Sequence, residues 1–170
     1  MAETEVQKRQ MTQMERLKEV VARLRDKDGC PWDRKQTHES LKPEVIEEAA
    51  EVVCGINIYE KTGASENLKE ELGDLLLQVV MQAQIAEEEG LFSLEDVAAG
   101  AADKMIRRHP HVFGGGKTPE EGGESAAWEE IKKKEKTGRE WEESYLPAAF
   151  QESEQLLLQA EARKGYRPQQ

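Results

Sequence analysis

The chain has 170 residues, of which 37% are hydrophobic and 35% charged, and carries a formal net charge of −11. Its length suits one domain. So acidic a balance argues against a nucleic-acid polymer or an anionic membrane as partner, because both are bound through Lys and Arg. The apolar content is thin for a self-sufficient core, so the sequence favours helices that complete their core by oligomerisation, as a dimer or a tetramer.

In chain order, Met1 to Gln13 is polar and has no apolar leader segment. Val6 to Arg25 reads as a helix, with Met14, Leu17, Val20, Val21 and Leu24 at spacings of three and four. Asp28-Gly29 ends it, and Pro31 with the polar run that follows makes Cys30 to Ser40 a loop. Leu41 to Tyr59 is a second helix. Gly63 marks a turn and Ser65 a new cap, and Glu66 to Glu89 forms a third helix closed by Gly90. Ser93 to Asp96 has the S-x-x-D form of a capping box and opens a helix that His109-Pro110 ends near Arg108. Thr118-Pro119-Glu120-Glu121 is a further helix start, and Leu146 to Lys164 is a weaker last helix. No segment alternates with a β period, so the expected fold class is all-α. Cys30 and Cys54 lack C-x-x-C spacing and read as buried reduced thiols. No stretch approaches the ~20 apolar residues that span a bilayer, and the default location is cytoplasmic.

Two acidic motifs stand inside the second and third helices. Glu48 and Glu51 border the stripe Val45, Ile46, Ala49, Val52, Val53 and Ile56, and Glu71 and Asp74 border Leu72, Leu75, Leu76, Val79, Val80 and Ala83. Residues three apart on a helix share a face, and the short connection makes the two helices antiparallel neighbours. If the stripes pack together, four carboxylates converge at one rim of the seam. Such a cluster repels itself unless a cation sits within it, and hard oxygen ligands suit Mg2+ or Mn2+. Either motif alone is more simply a solvated helix face; their conjunction at the edges of two apolar stripes points to a metal site. Gly114-Gly115-Gly116-Lys117-Thr118 imitates the end of a phosphate-binding loop, but His111 stands where that loop needs its first Gly and no strand precedes it.

The acidic residues also carry a family resemblance. Glu47-Glu48-Ala49-Ala50-Glu51 followed by Glu71-Leu72-Gly73-Asp74 resembles the E-E-x-x-E and E-x-x-D motifs of MazG-type nucleoside triphosphate pyrophosphohydrolases, members of the all-α NTP pyrophosphatase superfamily. The stretch Gly29 to His38 is similar to that family's G-C-P-W-D-x-x-Q-T segment. Lys104 to Phe113 resembles its K-x-x-R-R-H-P-H-V-F segment, and Trp128 with Lys132 its W-x-x-x-K element. The likeness covers residues 14–136, with a polar extension over 1–13 and a weakly matched linker and helix over 137–170. It implies an antiparallel helical bundle with its core completed between subunits.

The resemblance implies Mg-dependent hydrolysis of a nucleoside triphosphate at the α-phosphorus, yielding monophosphate and pyrophosphate, in the service of nucleotide-pool cleansing. Glu48, Glu51, Glu71 and Asp74 would be the metal ligands. Glu47 would act on water from behind them or form a surface ion pair. Lys104 and Arg108, one turn apart, would hold the β/γ phosphates, or pair with neighbouring acids; Lys132 is a weaker candidate. Trp128 is either a core aromatic or one that faces the nucleotide. Trp32, Gln36 and His38 lie in a loop, where recognition residues concentrate: the indole could stack on a base and Gln read its edge, or Trp32 could plug the helix ends with Pro31. Two other readings stand beside this one. The first is a narrower dUTP, dCTP or phosphoribosyl-ATP pyrophosphohydrolase, and the second a non-catalytic acidic helical oligomer that binds metal or a partner.

Overall fold

Helix α1 spans Gln13–Arg25 in the computed structural model, which describes residues 11–115 and 123–166. It starts at Gln13, where Thr12 and Glu15 form a reciprocal capping box, each side chain accepting from the other's backbone N–H, and the start expected at Val6 lies outside the described residues. A loop containing one 3-10 turn, Asp33–Lys35, leads to α2, Lys42–Thr62, with Pro43 in its first turn. Gly63, at φ 76°, ends α2 by donating its N–H to the Tyr59 carbonyl at 2.8 Å. Helix α3 follows at once over Glu66–Glu88. Ser65 occupies the cap position, but its hydroxyl makes no capping bond, against the sequence reading.

No strand occurs among the described residues, so the fold is all-α as expected. Helices α2 and α3 are antiparallel, because Gly55 lies against Leu68 while Glu48, two turns earlier in α2, meets Asp74 further along α3. A Cβ on Gly55 would stand 2.8 Å from the Leu68 Cα, so the missing side chain sets how closely the helices approach. The core of this first unit, which extends to Leu91, is built from Val21 of α1, Leu41, and Val80, Met81, Ala83, Ile85 and Ala86 of α3. Lys18 with Glu87 at 3.0 Å and Arg25 with Glu88 at 2.7 Å tie α1 to α3. The apolar stripes of α2 and α3 are only partly used: Val53, Ile56, Leu72 and Val79 remain exposed. Cys54 is exposed too, a correction to the expected buried thiol, whereas Cys30 is half-buried; both are free.

The second unit begins at Phe92. Helix α4, Leu94–Arg108, opens with the expected Ser93/Asp96 capping box. His109-Pro110 ends it, as read, but the chain then makes a one-turn helix α5, Pro110–Phe113, that periodicity could not announce over four residues. Helix α6 covers Gly123–Glu135, and a 3-10 segment, Glu140–Tyr145, leads into α7, Leu146–Arg163. The helix start expected at Thr118, and most of the Gly-rich segment before it, lie outside the described residues. Among the described residues no helix is long and apolar enough to cross a membrane.

Candidate metal and nucleotide site

The helical spacing that places Glu71 and Asp74 on one face of α3 meets Glu48 from antiparallel α2. Each of the three offers a carboxylate oxygen, and these oxygens lie within 4.8 Å of one another. Glu51 is outside that triad, one turn further along α2, and is half-buried. Three like charges so close oppose one another. Burial, and then the neighbouring Asp74, Glu71, Glu44 and Glu47, raise the Glu48 pKa above its ordinary value of 4.5. A hard divalent cation offsets that repulsion, and the all-oxygen donor set fits one.

Asn67, which the sequence reading passed over, donates from Nδ2 to Glu71 Oε1 at 2.7 Å. It stands four residues before Glu71, a spacing from which the pair could have been found. The bond fixes one oxygen of Glu71. Asn67 Oδ1 is buried with no partner, 3.3 Å from where a Gly55 Cβ would sit.

The loop residues are placed at the other end of α3. His38 donates from Nδ1 to the Gln82 side-chain oxygen, Gln82 Nε2 donates to the His38 carbonyl at 3.3 Å, and His38 Nε2 lies 3.6 Å from a Glu89 oxygen. Gln82 follows Asp74 by two turns, on the order of 12 Å along the axis. The Gln36 side chain accepts from the Ser40 hydroxyl at 2.6 Å. Trp32 is 76% exposed, and Pro31 beside it is exposed as well, so the indole does not plug the helix ends.

In the second unit Arg108 is held on two sides. Its guanidinium bonds Glu135 of α6 at 3.0 and 2.6 Å and lies 5.0 Å from the Trp128 ring centre, a cation-on-aromatic contact. His109 also meets Trp128, edge-on with ring centres 5.1 Å apart. Arg107 shares Glu135 at 3.2 Å, and the Arg108 fork keeps the Glu135 carboxyl below its usual range. Glu135 is the partner that the sequence did not single out. Lys104 is exposed one turn before Arg108, and Lys132 pairs with Glu129 at 2.9 Å.

Comparison with known proteins bears on these residues directly. Residues 36–113 match the MazG nucleotide pyrophosphohydrolase domain, a stretch that holds both acidic motifs and the Lys104–Arg108 turn. The chain is 52% identical over 122 residues, 72% of its own length, to the Thermotoga maritima protein named nucleoside triphosphate pyrophosphohydrolase/pyrophosphatase MazG. It is 43% identical over 127 residues, 74% of its length, to the Escherichia coli K12 nucleoside triphosphate pyrophosphohydrolase. It is also 48% identical over 121 residues, 71% of its length, to the uncharacterized protein YabN of Bacillus subtilis. The matches span 45%, 47% and 24% of those relatives respectively, so the chain corresponds to about half or less of each. The acidic triad thus lies inside residues 36–113, the part of the chain that matches the MazG nucleotide pyrophosphohydrolase domain.

Proposed function

We propose that the chain hydrolyses nucleoside triphosphates to monophosphate and pyrophosphate, with Mg2+ as its ion and Mn2+ as a working substitute, and that it serves to clear unwanted nucleotides. The observation that carries this reading is the convergence of Glu48, Glu71 and Asp74 from two helices of the stretch that matches the MazG domain. When bound, the divalent ion supplies charge neutralisation and Lewis-acid polarisation at the phosphate. Glu48, Glu71 and Asp74 hold it, Asn67 keeps one Glu71 oxygen turned, and Glu51 completes the ligand set from the next turn of α2. Glu47 orients the attacking water or takes its proton. Water oxygen bonds to the α-phosphorus as the bond to the bridging oxygen breaks, and pyrophosphate leaves. Lys104 and Arg108, with Lys132 in support, are assigned to the β/γ phosphates. Glu135 and Trp128 give Arg108 a fixed orientation for that role. Trp32, Gln36 and His38 are assigned to the base. The working form is a homo-oligomer, dimer or tetramer, supported by the exposed apolar residues of α2 and α3.

The test is a panel of standard, deoxy and modified triphosphates with Mg2+, with product identification. Pyrophosphate and monophosphate are expected, and Asp74→Ala and Glu71→Ala should abolish their release and lower Mn2+ affinity with helicity intact. Diphosphate and inorganic phosphate as products, or near-normal turnover in both variants, would overturn the reading.

A further inference from the structure

The last residue of α1 performs a task outside the helix. The Arg25 side chain is only 6% exposed. Its Nη1 donates to two backbone carbonyls of the following loop, Asp33 at 2.6 Å and Gln36 at 3.1 Å. Its Nε and Nη2 form a two-pronged pair with Glu88 at 2.9 and 2.7 Å, and Glu88 accepts a further bond from Gln84 at 3.1 Å. One guanidinium therefore joins the ends of α1 and α3 to the turn that follows Trp32. The arrangement uses four of the five donors of the fork in its planar geometry, which a lysine cannot reproduce. The Arg25 bond holds the Glu88 carboxyl below its usual range, so the latch is charged at neutral pH.

The loop is pinned a second time where His38 and Gln82 bond each other. Between α1 and that second pin, the chain turns through Arg34 N–H to the Cys30 carbonyl at 3.1 Å and Lys35 N–H to the Trp32 carbonyl at 3.2 Å. A backbone fixed this firmly presents a large aromatic side chain, Trp32, that is 76% exposed. Exposure of an indole on a rigid turn costs hydrophobic burial, and a flat π-face standing clear suits a stacked ring.

We propose that Arg25, latched to Glu88, is a positioning residue that holds the Trp32 indole as a preformed platform for the substrate's nucleobase. This rests on the nucleotide reading above. It goes further by assigning base affinity to a residue whose hydrogen bonds go to backbone carbonyls and a carboxylate. Preorganisation lowers the ordering cost of binding, so losing the latch should weaken binding without slowing chemistry.

Arg25→Lys keeps the charge and loses the fork. Hydrogen exchange without ligand should show the amides of residues 34–36 exchanging on the order of tenfold faster, with α2 and α3 amides unchanged. KM for a nucleoside triphosphate should rise by about tenfold with kcat retained, and Mn2+ affinity without nucleotide should not move. In the Trp32→Ala background the same Arg25→Lys change should leave KM where it is, because the platform is already gone. Glu88→Gln should show a smaller version of the same pattern. Unchanged exchange in the loop, full additivity of the Arg25 and Trp32 effects, or a lowered Tm with KM intact would each overturn the proposal. A wild-type protein that releases no pyrophosphate from any nucleotide would sink the nucleotide reading, and the platform with it, while the exchange data would still report whether the latch exists.

Discussion

Glu48 shows how one side chain links stability to function. Its carboxyl is shifted upward by burial and by Asp74 and Glu71. For an acid whose folded pKa exceeds its unfolded value, the folded state holds the extra proton, so stability falls as pH rises from about 4.5 through the folded pKa. Above that window the full cost is present. Glu48→Gln should therefore raise the melting temperature of the metal-free protein at neutral pH, and the gain should shrink as the pH is lowered through the window. Added Mn2+ should reverse the order, because the wild type gains a ligand charge that the variant lacks. Equal melting curves for the two proteins at neutral pH, with and without the ion, would contradict this account. The acidic positions themselves were legible from i,i+3 spacing beside an apolar stripe. Asn67 and Glu135 were not singled out, because an amide or acid on a helix announces no partner until a second group is packed against it.

At the scale of whole helices, the distance between α2 and α3 decides whether the carboxylates meet. Gly55 sets that distance: an added Cβ would lie 2.8 Å from the Leu68 Cα and 3.1 Å from its nitrogen, both backbone atoms that cannot turn aside. Gly55→Ala gains helix propensity, worth about 1 kcal/mol, and incurs an overpacking cost of about 1–3 kcal/mol. A net loss of up to about 2 kcal/mol is expected in urea unfolding. Glu48 lies two turns from Gly55 on the same face of α2, so Mn2+ affinity should fall as the helices separate. Gly100→Ala, with nothing within 4 Å of its added Cβ, should be neutral or stabilising. If Gly55→Ala matched Gly100→Ala in stability and in Mn2+ affinity, the close approach would not matter. The capping boxes at Thr12 and Ser93 are of the same scale, and only the second was read from sequence. The helical periodicity of Met14 to Leu24 continued back to Val6 and masked the T-x-x-E signal.

For the molecule as a whole, the exposed apolar residues of α2 and α3 carry the expectation of assembly. Val53 and Ile56 lie one turn apart on α2, and Leu72 and Val79 two turns apart on α3, all left open by a chain with few apolar residues to spare. Light scattering at micromolar concentration should give a mass of twice or four times that of the chain, and Ile56→Glu should shift it toward the monomer by burying a charge at the seam. A wild-type mass of one chain at that concentration would refute the assembly.

Periodicity and motif spacing by themselves determined the all-α class, five of the seven α-helices among the described residues and the place of each acidic pair at the edge of its apolar stripe, because helix faces repeat every 3.6 residues and a local pattern suffices to show them. What the chain does with its loop was decided only by tertiary structure. Trp32 could equally have been a buried plug; it stands exposed on a backbone held by Arg25 and at His38, through contacts to Glu88 and Gln82 far along the sequence. The same holds for Glu48, whose partners Glu71 and Asp74 are brought near by a glycine at the helix crossing. Neither outcome is encoded in a local window, since the free energy of a contact between distant segments depends on how closely their backbones pack as well as on which side chains meet there.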